Sequence, residues 1–337
     1  MVLALLGPVG VSACSKKEDD EFEPVEFGDG DETEPEKKSR GKAKPDPQPQ
    51  PGPDPSPAPA PSKPVTNDPI NRYDQGYLRA RAQAVLKRLV AALSEPQRSQ
   101  MRPIPLGFDG RPGEVNAFAA CVKGRAFMVM TDGLMEIQAQ MARAQAHDER
   151  FGTGKLDAYA AFVAKGQRKG RAVPRPPPSF YDAAKDQDGR KVARQRHLLD
   201  EGLAFVLGHE LAHHYLSHTG CVGTDATALT PADVARAVTI KVPAFNQANE
   251  LASDLYGIQN VLAAGRSEQP AWREDGALLT LRFFLEVRRV HGGDVLFSFQ
   301  STHPHPNVRR PVVTQAAETW RRTGGQALPV LKLPKLR

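Results

Sequence analysis

Leu203-Ala204-Phe205-Val206-Leu207-Gly208-His209-Glu210-Leu211-Ala212-His213 decides how the rest of this chain is read. Two imidazoles stand four residues apart, with a carboxylate beside the first. On a helix, positions i and i+4 share a face, so both rings reach one metal ion. An H-E-x-x-H element of this kind holds zinc through its two His side chains, and the Glu acts as general base on the metal-bound water. The alternative is a chance match in an Ala-, Leu- and His-rich helix, so the surroundings decide. From Arg196 to His218 no Pro interrupts, and Leu199, Leu203, Val206, Leu207, Leu211 and Tyr215 recur at helical spacing. Asp200 and Glu201 lie early in the run, where acidic side chains suit the helix dipole, and Thr219-Gly220 closes it. The spacing therefore predicts an amphipathic, largely buried helix. His214 points about a quarter-turn away from His213 and His218 lies more than a full turn further on, so both read as helix-end or surface histidines, not ligands.

A catalytic zinc takes three protein ligands and keeps an open position for water. The third candidate is Glu250, in Asn249-Glu250-Leu251-Ala252-Ser253-Asp254-Leu255-Tyr256. Leu251, Leu255, Ile258 and Leu262 give this segment a helical apolar stripe, and Glu250 and Asp254 share one face. A carboxylate pair on such a helix is costly to bury unless a cation or hydrogen bonds compensate it. Glu250 then reads as the ligand and Asp254 as the acceptor that orients one of the His rings. A solvated acidic face is the competing reading.

Upstream, Pro103–Asp109, Asn116–Cys121 and Ala126–Thr131 are short, apolar, turn-bounded runs that read as strands, with Lys123-Gly124 as a turn. The second opens with Val115-Asn116-Ala117-Phe118-Ala119, and the third continues Phe127-Met128-Val129-Met130-Thr131-Asp132-Gly133-Leu134. Downstream stands Ser301-Thr302-His303-Pro304, followed by Arg309. His303 precedes a proline, which biases its backbone away from helix. Asn307 is then placed to cap a last helix through Val313, Ala317 and Trp320. Asp74–Leu93 reads as an amphipathic helix through Leu78, Val85, Leu86, Leu89 and Val90.

In this order, the motifs resemble those of the zinc metallopeptidases of the HtpX and CAAX-prenyl-protease type, gluzincins that carry H-E-x-x-H and a downstream E-x-x-x-D. The resemblance runs from Tyr73 to the C-terminal helix. It implies an α+β, mainly helical domain with a small sheet edge beside the zinc helix. It also implies one Zn2+ per chain, held by His209, His213 and Glu250, with Glu210 as base. By the same resemblance Asn116, Ala117, Phe118 and Ala119 form an edge strand that holds an extended peptide by main-chain hydrogen bonds. An ordinary core strand is the alternative. His303 would face the zinc and stabilise the oxyanion, with Arg309 in support; a loop histidine without a catalytic part is the alternative. His305 receives no role.

The remainder bears on where the protein works. Met1–Ala13 is apolar and ends in Val11-Ser12-Ala13-Cys14, which resembles a bacterial lipobox, so residues 1–14 read as a lipoprotein-type signal ending at a lipidated Cys14. No Lys or Arg precedes the apolar run; a start codon placed too far downstream would account for that, and an irrelevant apolar terminus is the alternative. Ser15 after the Cys favours the outer membrane by resemblance. Residues 15–68 read as a disordered tether, acidic over Glu18–Glu36 and proline-rich over Pro45–Pro64. Residues 69–337 then form the catalytic domain. This part carries 37 Lys/Arg against 25 Asp/Glu, a net of +12, against +6 for the whole chain. Such a balance suits anionic surfaces or acidic substrates, while the lack of a basic-aromatic module argues against nucleic acid. A basic, proline-rich insertion at about 138–196 reads as a mobile loop near the cleft, with a plain surface excursion as the alternative. Cys121 and Cys221 are a candidate disulfide pair in an oxidising compartment, although the sequence does not fix the distance between them and leaves the pairing open. The expected function is a zinc metalloendopeptidase acting on misfolded or envelope proteins, membrane-held by its lipid. A chaperone-like binding lipoprotein on the same fold is the alternative, although a pure binder has no use for Glu210.

Overall fold

The computed structural model describes residues 63–122, 124–221, 247–293, 295–329 and 331. Cys14, the tether up to residue 62 and Lys123 lie outside the described residues. The fold is α+β and mainly helical, as expected. Its elements are α1 (Gln75–Ala92), α2 (Gln97–Met101), β1 (Leu106–Asp109), β2 (Ala117–Val122), β3 (Arg125–Thr131), α3 (Asp132–Phe151), α4 (Lys155–Gly166), α5 (Ala183–Asp186), α6 (Gly189–Tyr215), α7 (Gln247–Ala264), α8 (Asp275–Val290), α9 (Ser298–Thr302) and α10 (Pro306–Thr323).

The organising element is α6. It starts seven residues before the sequence pattern indicated, because Asp188 caps it by accepting from the Arg190 and Lys191 amides. It stops at Tyr215, where Ser217 takes a left-handed φ of 62° and reverses the chain. Between Leu198 and His214 almost every side chain is buried, so this stretch is a central core helix and not an amphipathic one. Helices α3, α7, α8 and α1 pack around it. Two of those contacts depend on glycine. A Cβ on Gly257 of α7 would lie 2.9 Å from the His209 amide nitrogen, and one on Gly276 of α8 would lie 2.3 Å from the Gly202 nitrogen. Backbone therefore meets backbone at the turn that carries the first histidine.

The sheet has the order β1-β3-β2, with β1 parallel and β2 antiparallel to β3. Its two-residue alternation sorts side chains by face. Ala117, Met128 and Met130 join the main core, while Phe118, Phe127 and Val129 form a separate apolar patch on the other side. Strand β2 is an edge, as the resemblance implied, and it lies against α6.

Three sequence expectations need correction. The stretch 138–196 is not a loop near the cleft: most of it is helix in α3, α4, α5 and the start of α6. Leu156, Tyr159, Ala160 and Val163 of α4 bury one face, and Tyr159 stacks on Phe283 of α8 with ring centroids 5.4 Å apart. The arginine of its proline run, Arg175, binds Glu136 at 2.9 and 3.0 Å, so that segment lies along α3. The folded part also begins before residue 69. Val65 donates to the Gln187 carbonyl, and buried Asp68 accepts from Ile70, Gln195 and Arg196. Finally, α10 is capped by His305, whose ring accepts from the Asn307 amide, with Pro306 at the first helical position.

The Gly257 contact gives a stability test. Ala is a better helix former than Gly by about 1 kcal/mol, yet Gly257→Ala is expected to destabilise the protein by about 1–3 kcal/mol, since its methyl must push α6 and α7 apart. Chemical denaturation with circular dichroism reads this. A variant as stable as the parent would mean that the two helices do not approach at Gly257.

Candidate metal centre

Three structural elements and one loop converge beside the edge strand. Helix α6 supplies His209, Glu210 and His213, α7 supplies Glu250 and Asp254, the loop after α9 supplies His303, and α10 supplies Arg309. Each is almost wholly buried except His303, which is partly so. The four-residue spacing brings the two histidine Nε2 atoms of α6 to 3.1 Å. Glu250 closes the triangle, with Oε2 3.3 Å from His209 Nε2 and Oε1 3.4 Å from His213 Nε2. Ligand atoms about 2.0–2.1 Å from a tetrahedral centre lie roughly 3.3 Å from one another, so these spacings match three corners of such a site. His303 also belongs here: one ligand atom each from His209, Glu250 and His303 lie within 4.8 Å of one another.

Charge makes the same point. Three buried carboxylates, Glu210, Glu250 and Asp254, face one buried permanent cation, Arg309. With neutral imidazoles the cluster carries two uncompensated negative charges, an arrangement costly in a low-dielectric interior unless a dication balances it. Glu210 Oε1, Glu250 Oε1 and His303 Nε2 are buried and lack hydrogen-bond partners among the described residues. The donor set thus fits a divalent metal bound by nitrogen and carboxylate.

The outer contacts orient the rings. Asp254 Oδ1 lies 2.9 Å from His209 Nδ1, which fixes the tautomer and leaves Nε2 aimed into the site. Asp254 is itself gripped by Arg309 through two bonds of 2.8 and 2.7 Å. Asp254 thus contacts a His ring, while Arg309, expected beside His303, bonds Asp254 instead. For His213 the outer contact is His218, with Nδ1 atoms 3.0 Å apart, and Ser253 Oγ is 3.3 Å from the same His218 nitrogen. Sequence reasoning assigned His218 no part because helical geometry places it away from His213. The left-handed turn at Ser217 brings it back, and nothing in the residue pattern announces that turn. His214 is likewise not a surface group: it is buried, and its Nε2 lies 3.1 Å from the Phe127 carbonyl of β3.

His303 Nδ1 lies 2.9 Å from Glu250 Oε2, and its Nε2 is 3.6 Å from Glu210 Oε1. A carboxylate only accepts, so Nδ1 carries the proton and neutral His303 presents a lone pair at Nε2. Donation to an oxyanion from Nε2 thus requires the imidazolium or the other tautomer. Phe299 packs against the ring with centroids 4.6 Å apart, and Thr302 Oγ1 lies 3.4 Å from Asn116 Oδ1, tying the loop to the strand region. Asn116 precedes β2, and both its main-chain groups are bonded to Thr131. The edge strand proper is therefore Ala117 onward, including Phe118 and Ala119. The Ala119 amide donates to Glu210. Cys121 at the end of β2 and Cys221 after α6 form a disulfide, a pairing the sequence left open, with Cα atoms 5.8 Å apart.

Burial and neighbouring charge set the protonation states. Burial, with the Glu250 charge adding to it, raises Glu210 to about 7. Burial lowers His213 to about 3 and His303 to about 4. Burial by itself would lower His209, yet hydrogen bonds to Asp254 and Glu250 override it and lift this ring to about 9. Glu250 is held well below the usual carboxylate range: burial opposes this, but bonds from His209, His213 and His303 prevail. Without a metal, a proton on His209 takes the place of a cation.

A buried H-E-x-x-H helix, a carboxylate from a second helix and an edge strand alongside define the site of a metallopeptidase. The sequence model of peptidase family M48 matches residues 79–315, and the chain belongs to that family. Its members are metallopeptidases, zinc-dependent in general, and their substrates are proteins. No curated protein sequence and no solved structure matches the chain.

The raised His209 pKa predicts a proton linkage. At pH 7 the metal-free ring is protonated, and ligation needs its bare Nε2, so each bound metal releases about one proton. Apparent zinc affinity should rise about tenfold per pH unit between pH 6 and 8 and level off above the His209 pKa. Calorimetry in buffers of different ionisation enthalpy measures the released protons. No release at pH 7 would contradict the His209 assignment.

Proposed function

We propose that the chain is a zinc endopeptidase that hydrolyses peptide bonds in misfolded or envelope proteins. The observation that carries this is the meeting of His209, His213 and Glu250 at ligand spacing beside Glu210, whose Oε1 is buried without a hydrogen-bond partner among the described residues. These three residues would hold one zinc ion, which supplies a Lewis acid that activates water and polarises the scissile carbonyl. Glu210 is the proton acceptor: its buried carboxylate lies next to the ligand His209 and points along another direction. Its raised pKa makes it a stronger base than an exposed carboxylate and able to hand the proton on to the leaving amine. His303 stands across from it as the partner for developing negative charge, once its Nε2 carries a proton. The outer edge of β2 from Ala117 offers main-chain groups to an extended substrate. Pairing of that kind reads no chain terminus, which favours cleavage within a chain over trimming of its ends.

For location, the support is Val11-Ser12-Ala13-Cys14 followed by an acidic and proline-rich stretch. We read this as a lipid-anchored enzyme of a bacterial envelope, on the periplasmic side of the outer membrane. No helix among the described residues is long and apolar enough to cross a membrane.

Two variants separate the roles at the metal. Glu250→Ala should lose most of the zinc seen by metal analysis of the wild type, about one ion per chain. Glu210→Gln should keep that zinc and cleave unfolded casein on the order of a hundredfold or more slowly. Near-normal cleavage by Glu210→Gln would mean that other groups perform the chemistry.

Location has its own test. Made with its native leader, the protein should fractionate with membranes, and Cys14→Ala should release it or leave an unprocessed precursor. Mass spectrometry of the mature N-terminus decides: an unmodified Cys14 behind an intact Met1 would rule out the lipid anchor and leave the zinc site unaffected.

A further inference from the structure

At the sheet edge opposite β2, a cavity of 530 Å³ opens between α1, α2 and the start of β1. No residue of the metal centre lines it. Leu86 and Ile104 form a buried floor, with Val90 and Leu106 half-buried on the walls. The lining carries positive charge and no acidic residue. Arg98 is engaged by Glu95 at 2.9 Å, whereas Lys87 and Arg102 are exposed and have no ion-pair partner among the described residues. Strand β1 borders the cavity through Leu106, and no described strand pairs with its outer edge.

We propose that this groove is an exosite that captures an extended polypeptide segment in which apolar side chains flank a carboxylate. Its part in turnover rests on the peptidase reading; its binding does not. Each component of such a segment finds a counterpart. The floor removes apolar side chains from water. Lys87 and Arg102 offer charge-assisted hydrogen bonds to the carboxylate. The edge of β1 that no described strand pairs reaches the groove at Leu106, where main-chain groups would offer pairing that an acyl chain cannot use, and this favours a polypeptide over a lipid. The net charge of +12 over residues 69–337 draws acidic segments toward the domain. Geometry relates the groove to the cleft: β1 and β2 flank β3, so segments paired on their two outer edges would lie four strand steps, about 19 Å, apart at roughly 4.8 Å per step. At least about six extended residues are needed to span that distance, and more for a path over the sheet face, so a long unfolded chain can rest on β1 and be cut at β2 while a short peptide cannot.

The test uses the full-length protein carrying Glu210→Gln, so that the probe survives. The probe is a fluorescein-labelled, end-blocked peptide of sequence Gly-Leu-Asp-Val-Glu-Phe-Gly, followed by fluorescence anisotropy. Binding should saturate, weaken as salt rises, and fall about tenfold or more when Lys87→Glu and Arg102→Glu are combined. Both side chains are exposed, so the double variant should melt with its parent and retain its zinc. With Glu210 restored, the double variant should raise KM several-fold for unfolded casein, leaving kcat and the cleavage of a short unlabelled peptide unchanged. Equal binding by parent and double variant would overturn the proposal. So would loss of the peptide to phosphatidylglycerol vesicles that bind through Lys87 and Arg102, which would make the groove a lipid site. If the peptide binds and the double variant releases it while casein is never cut, the exosite stands and the peptidase reading falls.

Discussion

The bidentate bridge between Arg309 and Asp254 is the interaction on which the rest of the structure depends. Both groups are buried, and the second oxygen contact of Asp254 is the ring of His209. One chain of bonds therefore runs from α10 through α7 to α6 and ends on an imidazole aimed at the metal position. Removing one partner of such a pair typically costs about 3–5 kcal/mol, since the other charge is left buried and alone. The Arg309 guanidinium also lies 5.6 Å from the Phe205 ring centroid and 5.9 Å from that of Phe299. Phe299 in turn packs on His303. The C-terminal segment is thus part of the site and not an appendage to it.

That bridge neutralises only one of three buried carboxylates. The remaining imbalance is tolerable in a stable protein only if function requires it, and here it defines the site's chemistry. His209 holds a proton in the metal-free site because Asp254 and Glu250 accept hydrogen bonds from its ring, and a dication at Nε2 would displace that proton. Glu210 is perturbed by a different cause. Burial raises it and outweighs the opposing charge of His209, and one amide of β2 is its donor.

The small sheet is held to this helical frame by several independent ties. The disulfide joins the end of β2 to the residue after the α6 turn, His214 reaches the Phe127 carbonyl, and Ala119 donates to Glu210. With α6 and α7 in backbone contact at Gly257, the edge strand, His209, His213 and Glu250 belong to one continuously packed region.

Much of this was legible in the residues. The i, i+4 spacing of His209 and His213 sets two rings on one helix face wherever that helix lies, and Glu250 and Asp254 obey the same periodicity. The strands at 106–109, 117–122 and 125–131 followed from short apolar runs between turns, and the apolar stripe of α1 from its spacing. These are local consequences of backbone geometry, which a sequence pattern encodes directly. Other features depended on the tertiary fold. His218 meets His213 only because Ser217 turns left-handed, His305 displaces Asn307 as a cap, and the stretch expected as a loop folds as α4 because Phe283 and its neighbours offer it a face. The approach at Gly257 and the meeting of β1 with α1 around an apolar cavity have no local signature either. Such contacts join residues far apart in the chain, and their energy comes from packing and burial that exist only once the whole domain has closed around α6.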